Sequence, residues 1–301
     1  MKKHNLLNRK FLLKELPVLF CLISLLSCKT VPFGKSVTAV DLLDNNSDFY
    51  ISIPKNADEV LLKQLLINNL SGLSEKNLEK ITNRINKVYI GVSKNQRDTS
   101  FQLGIDANIP KQLIPNLLSS KNGWNKREYI SKTNKNIKYS VYNNKSMDVT
   151  FPNSNIACMG RNVDSMLDNY EKNISLAGLF EAPDAEMLNN TAKNYLSEDN
   201  SEVRFFSSNP QSFIQMITGI KMDLKILEVF GSFKEDSENK DLYVFKINFG
   251  FSNEKYLKAS KALLKLAFGI TNSDLNILEN NTLSVVNFRI SKEQISKLFV
   301  L

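Results

Sequence analysis

From about residue 47 the chain alternates short runs of two-residue period with longer runs of helical period. "DFYISIP" is β-rich and closes on Pro54. In "KNADEVLLKQLLINNL", Leu61, Leu62, Leu65 and Leu66 recur at helical spacing, so an amphipathic helix is expected to begin near Ala57 and Asp58. A second short helix follows Ser74. "KVYIGVS" and "SFQLGIDA" alternate as strands on either side of the polar turn "KNQRDT". "IPKQLIPNLLSS" reads as a helix kinked or broken at Pro115, where a backbone donor is missing, and "IKYSVYN" as a further strand.

The later part repeats that order. "VRFFSS" is a strand, and "NPQSFIQMITGI" a helix with Asn209 as cap and Pro210 in the first position, where no hydrogen bond is lost. "LKILEVFGSF" and "DLYVFKINFGF" are strands around a polar turn, with Phe245, Ile247 and Phe249 alternating inward. A helix from Asn253 ends at Gly269, then come the strand "TLSVVNFRI" and a short closing helix. The expected class is α+β, with two β-α-β-β-α-β units of the ferredoxin-like kind in mainly antiparallel sheet. No residue identities align the two halves, and one large sheet or two domains would both satisfy the pattern. The expected boundaries are a signal over 1–27, a tether over 28–46, a first repeat over 47–180, and a connecting helix with the second repeat over 181–301. The first repeat carries two extra strands and a helix in "SMDVTFPNSNIACMGRNVDSMLDNYEKN". The connecting helix opens at Pro183, with Asp184 and Glu186 suited to its dipole.

The opening residues have a different pattern. Lys2, Lys3, Arg9, Lys10 and Lys14 stand against one acid, Glu15, before an uncharged apolar core from Leu16 to Leu26. That core is shorter than the roughly 20 residues a membrane span needs and has the build of a secretory signal. It ends in "LLSC", which resembles the lipobox of bacterial lipoprotein precursors. Ser27 and Leu25 match the family's small and leucine positions, and Leu26 departs from them in the direction that spirochaete lipoboxes tolerate. The resemblance implies cleavage before Cys28, acylation of that cysteine with chains such as palmitate, and a lipid-anchored place in the cell envelope, at the outer membrane or the cell surface. Cys21, preceded by the bulky Phe20, is an apolar residue of the signal.

Cleavage there also changes the available chemistry. The one histidine, His4, is lost, and with it the Ser-His-Asp and Cys-His systems and His-ligated zinc. Cys158, in "NIACMG", reads as a small buried hydrophobe rather than a reactive thiol. Glycine is scarce, at 11 residues, and no phosphate-cradling motif occurs. Half of the net charge of +8 belongs to the signal, which leaves an ordinary surface and argues against a nucleic-acid partner. No catalytic residue, metal site or cofactor is signalled.

The most unusual local stretch is residues 121–145, where seven Lys or Arg surround the single tryptophan. Trp124, Lys126, Arg127, Tyr129, Lys138 and Tyr142 form the candidate patch for a protein, an anionic glycan or a lipid surface; otherwise they form a solvated hairpin whose tyrosines cover sheet. On the helix from Asn253, Lys255, Lys258, Lys261 and Lys265 share one face, and Leu257, Leu263, Leu264 and Leu266 supply apolar surface. The function expected is that of a non-catalytic, membrane-anchored envelope lipoprotein with a scaffold, assembly or surface-binding role. A transporter's solute-binding lipoprotein and a carboxylate-based hydrolase are the alternatives. Replacing Cys28 with Ala is expected to abolish fatty-acid labelling and release the protein from the membrane fraction, whereas Cys21→Ala changes neither; metabolic labelling with fractionation decides it.

Overall fold

The computed structural model describes residues 37–70, 74–94, 99–144, 147–178, 188, 190–198 and 201–297. Its strands are β1 (Phe49–Pro54), β2 (Ile85–Lys94), β3 (Thr99–Ala107), β4 (Asn125–Ile130), β5 (Lys138–Asn143), β6 (Asp148–Thr150), β7 (Ile156–Gly160), β8 (Val203–Ser207), β9 (Ile226–Glu235), β10 (Leu242–Phe251), β11 (Leu275–Leu278) and β12 (Thr282–Ser291). The helices are α1 (Glu59–Asn69), α2 (Glu75–Thr82), α3 (Ile114–Leu117), α4 (Val163–Gly178), α5 (Asn190–Ser197), α6 (Pro210–Thr218), α7 (Glu254–Phe268) and α8 (Lys292–Lys297). All twelve strands join one sheet in the order β11-β12-β10-β9-β8-β1-β2-β3-β7-β6-β5-β4.

The local signals in the sequence act as capping chemistry predicts. The Asp58 carboxylate accepts from Leu61 N at 2.8 Å and opens α1, whose Leu61, Leu62, Leu65 and Leu66 are all buried. Asn209 caps α6 through Ser212 N, with Pro210 in the first turn. Gly269 ends α7 in the left-handed region at φ 61°, where a side chain would be strained. Pro115 falls in the first turn of α3, so the helix expected from Ile109 is broken there and only Ile114–Leu117 is helical.

The strand pairing departs from the ferredoxin-like expectation. That arrangement places the third strand of each unit between the first and second. Here the first strand of each half lies beside the second: β1-β2-β3-β7 on one side, β8-β9-β10-β12 on the other, every neighbouring pair antiparallel. The connections explain why. Helices α1 and α2 run out and back, so β2 starts where β1 ended and Pro54 pairs with Lys87. In the other half α6 makes one pass and residues 219–225 return the chain. In both halves the chain then leaves the third strand, jumps to the sheet edge at β4 or β11, and works back inward to β7 or β12.

The sheet has two unequal faces. The front holds the larger core, built from residues such as Ile53, Ile90, Phe205, Phe245, Ile247 and Phe249 beneath α1, α6 and α7. The back core is smaller and lies under α4, α5 and the residues preceding β1. There Lys87 is buried and donates to the carbonyls of Ser197 and Glu198 at 3.1 and 3.0 Å, closing the C-terminus of α5.

Residues 37–44, expected to belong to a tether, are instead packed into this back layer. A 3-10 turn, Ala39–Leu42, buries Ala39, Val40 and Leu42 completely. Asn169 of α4 donates to Leu42 O and to Asp44, and Gln102 of β3 both donates to and accepts from Asp44. The contact is close enough to need a glycine: a Cβ on Gly104 would lie 2.2 Å from Ala39 O. Gly104→Ala is therefore expected to lower unfolding stability by about 1–3 kcal/mol, measured by urea denaturation, through displacement of this segment.

Candidate functional site

Residues 125–143 form a hairpin, and strand periodicity divides the candidate patch between the two faces of the sheet. In β4 and β5, Lys126 pairs with Tyr142, Arg127 with Val141 and Tyr129 with Tyr139. Trp124 and Tyr142 therefore point into the front core, at 1% and 8% exposure. Lys126 remains exposed on that face, and Lys138 pairs with Glu128 at 3.0 Å. Arg127 and Tyr129 point to the back, toward α4. The six residues share a hairpin and do not share a surface.

On the back, the hairpin meets an acidic stripe on α4 that the sequence reading did not single out. Arg127 donates to Asp148 and Asp164, each at 2.7 Å. The Tyr129 hydroxyl donates to Asp168, which also receives Lys132 at 2.6 Å. Ser131 and Thr133 both donate to Glu171, at 2.6 and 2.7 Å. Asp164, Asp168 and Glu171 sit four and three residues apart, one helical stripe, and that spacing was the available signal. Burial, followed by the neighbouring carboxylates, raises the Tyr129 pKa and keeps its hydroxyl a donor. The basic residues of the hairpin here are anchors for α4.

Helix α7 also differs from its expected arrangement. Its buried stripe is Leu257, Ser260, Leu264 and Phe268. Leu263 and Leu266, expected to supply core surface, face outward at 46% and 78% exposure, together with Tyr256. At 100° per residue they flank the buried stripe on one side, and Lys258, Lys261 and Lys265 flank it on the other. Helix α1, on the same face of the sheet, exposes Val60 and Ile67. Cys158 is fully buried in β7, and burial pushes its thiol pKa up. Cys28, Pro183, Asp184 and Glu186 lie outside the described residues.

The comparisons agree on one kind of relative. A family model described as "Outer membrane-associated lipoprotein TP0453" matches residues 34–296. Solved structures of TP0453 superpose on the chain. Crystal form I gives a TM-score of 0.62 at 16% identity, covering 88% of this chain and 97% of that one. Form III gives 0.60 at 17% identity, over 88% and 99%. Form IV gives 0.58 at 16% identity, over 90% and 100%. At such identities the likeness shows a shared fold. A search of curated proteins found no significant match.

The buried position of the single tryptophan can be read directly. Trp124 fluorescence is expected to be blue-shifted and poorly quenched by acrylamide until the protein unfolds. Trp124→Ala is expected to cost about 3–5 kcal/mol of stability in chemical denaturation, and Lys126→Ala less than about 0.5 kcal/mol.

Proposed function

Because the chain belongs to the family of the outer membrane-associated lipoprotein TP0453, we propose that its folded body is a non-catalytic module held against the envelope membrane. Acylated Cys28 serves as its tether, and the front of the sheet, with α1 and α7, is the surface turned to lipid. The observation that carries this reading is α7, which turns Tyr256, Leu263 and Leu266 outward beside a row of lysines. A helix lying in a membrane interface needs that combination: apolar side chains to enter the acyl boundary and cations to meet anionic headgroups. Val60 and Ile67 on α1 add apolar surface to the same face. The non-catalytic part of the reading is supported by a mature sequence without histidine and by the sealed thiol of Cys158.

Vesicle flotation tests the surface separately from the anchor. Protein beginning at residue 28 and carrying Cys28→Ser is expected to float with phosphatidylcholine–phosphatidylglycerol vesicles. Leu263→Asp with Leu266→Asp is expected to weaken that binding about tenfold or more, since a buried leucine contributes roughly 1.5–3 kcal/mol. Flotation unchanged by the double substitution would sink the assignment of α7.

A further inference from the structure

On the back of the sheet, α4 lies over β6 and β7, and α5 lies over β1 and β8. Beyond β8 the back carries polar side chains in rows set by the strand register. One row runs Phe206, Phe230, Asn248, Ser284, Asn276; the next runs Arg204, Ser232, Lys246. An open groove of about 470 Å³ lies over these rows, walled by Tyr195 of α5 and by Leu278, Glu279 and Thr282 of the β11–β12 hairpin. That volume is within the roughly 300–1,000 Å³ of small-ligand sites.

Two polar atoms in this region are out of place for a purely structural surface. Asn248, which lines the groove at 7% exposure, has a side-chain oxygen with no hydrogen-bond partner in the protein. Beside it, the Ser284 hydroxyl at 1% exposure has none either. Leaving such groups buried and unpaired is unfavourable, and a well-packed structural core would replace them with apolar residues. The charges bordering the groove balance: Arg204 and Lys246 against Glu202 and Glu279. Glu202 is engaged, accepting from Ser232 at 2.7 Å and pairing with Lys234 at 3.3 Å. Arg204 donates to Glu198 at 2.5 Å and covers the Tyr195 ring at 4.7 Å. Phe230 meets that ring edge-on at 5.3 Å and supplies the apolar part of the floor.

We propose that this groove binds an uncharged carbohydrate ring, with Phe230 beneath the ring, Asn248 pairing with its hydroxyls, and Lys246 and Thr282 at its rim. A charge-balanced groove rich in neutral hydrogen-bonding groups with an aromatic floor suits a polyhydroxylated ligand better than an anion or a lipid chain. The site is on the sheet face opposite Leu263 and Leu266 and does not depend on the membrane reading.

Saturation-transfer NMR on the mature chain, with glucose and N-acetylglucosamine as probes and inorganic phosphate in competition, tests it. Transfer to at least one sugar is expected, insensitive to phosphate. Asn248→Val is expected to weaken binding about tenfold or more and, by removing an unpaired polar atom, to raise Tm by a few degrees. A structural role for Asn248 would lower Tm instead. No transfer to either sugar, displacement by phosphate, undiminished binding in the variant, or a lowered Tm would each overturn the proposal.

Discussion

The junction between β1 and β8 is the interaction on which the rest of the architecture depends. Each half contributes a run of antiparallel strands, and only the pairs Tyr50–Phe206, Ile51–Phe205 and Ser52–Arg204 join them into one sheet. Three residue pairs are a short seam for a twelve-stranded sheet, and packing on both faces reinforces it. In front, Phe205 stacks on Phe213 at 5.1 Å and Phe213 meets Phe49 at 6.0 Å, so a β8 side chain, an α6 side chain and a β1 side chain interlock. Behind, α5 spans both strands. Ser207 donates to Asp48 O and Asn209 to Asp48 Oδ1, which carries the joint past the last strand pair. Both cores run across this central seam, and the groove opens beside it.

Much of this was legible in the sequence where a residue's effect is local. The leucine quartet of α1, the Asn209–Pro210 start of α6 and the Gly269 stop of α7 act within one helical turn, so pattern alone locates them. Strand order was not legible in the same way. Whether the second strand of each half lies beside the first depends on whether the connection crosses the sheet once or goes out and back, a tertiary property. The candidate patch around Trp124 divides between the two faces for a related reason, leaving the hairpin that was its alternative. Composition gathers Trp124, Lys126, Arg127 and Tyr129 into one cluster, and a two-residue period then separates them onto opposite faces. The α7 leucines show the converse: four leucines look like one apolar face, but only Leu257 and Leu264 follow the stripe completed by Ser260 and Phe268.

The unequal cover of the two faces divides the labour within the molecule. In front, aromatic and branched side chains fill the space beneath helices, and the outer surfaces of those helices are free to vary toward lysine or leucine without disturbing the core. Behind, among the described residues, the helical layer ends near the seam, so there the second half of the sheet presents strand side chains held in fixed register. A helix surface can adapt to a soft boundary by rotating or shifting slightly, whereas a strand surface presents a rigid grid. The first kind of surface suits apposition to lipid, and the second suits recognition of a defined shape.

The clamping of residues 37–44 between β3 and α4 has a mechanical consequence. With the proposed acyl anchor at Cys28, the nine residues from there to Val37, the first of the described residues, can span at most about 30 Å, at roughly 3.3–3.6 Å per residue. Measured to β1 the same limit would be more than twice as long. Force carried from that proposed anchor would reach the sheet through Ala39 and Leu42, against the middle of its first half, and be borne by a buried wedge with Gly104 behind it.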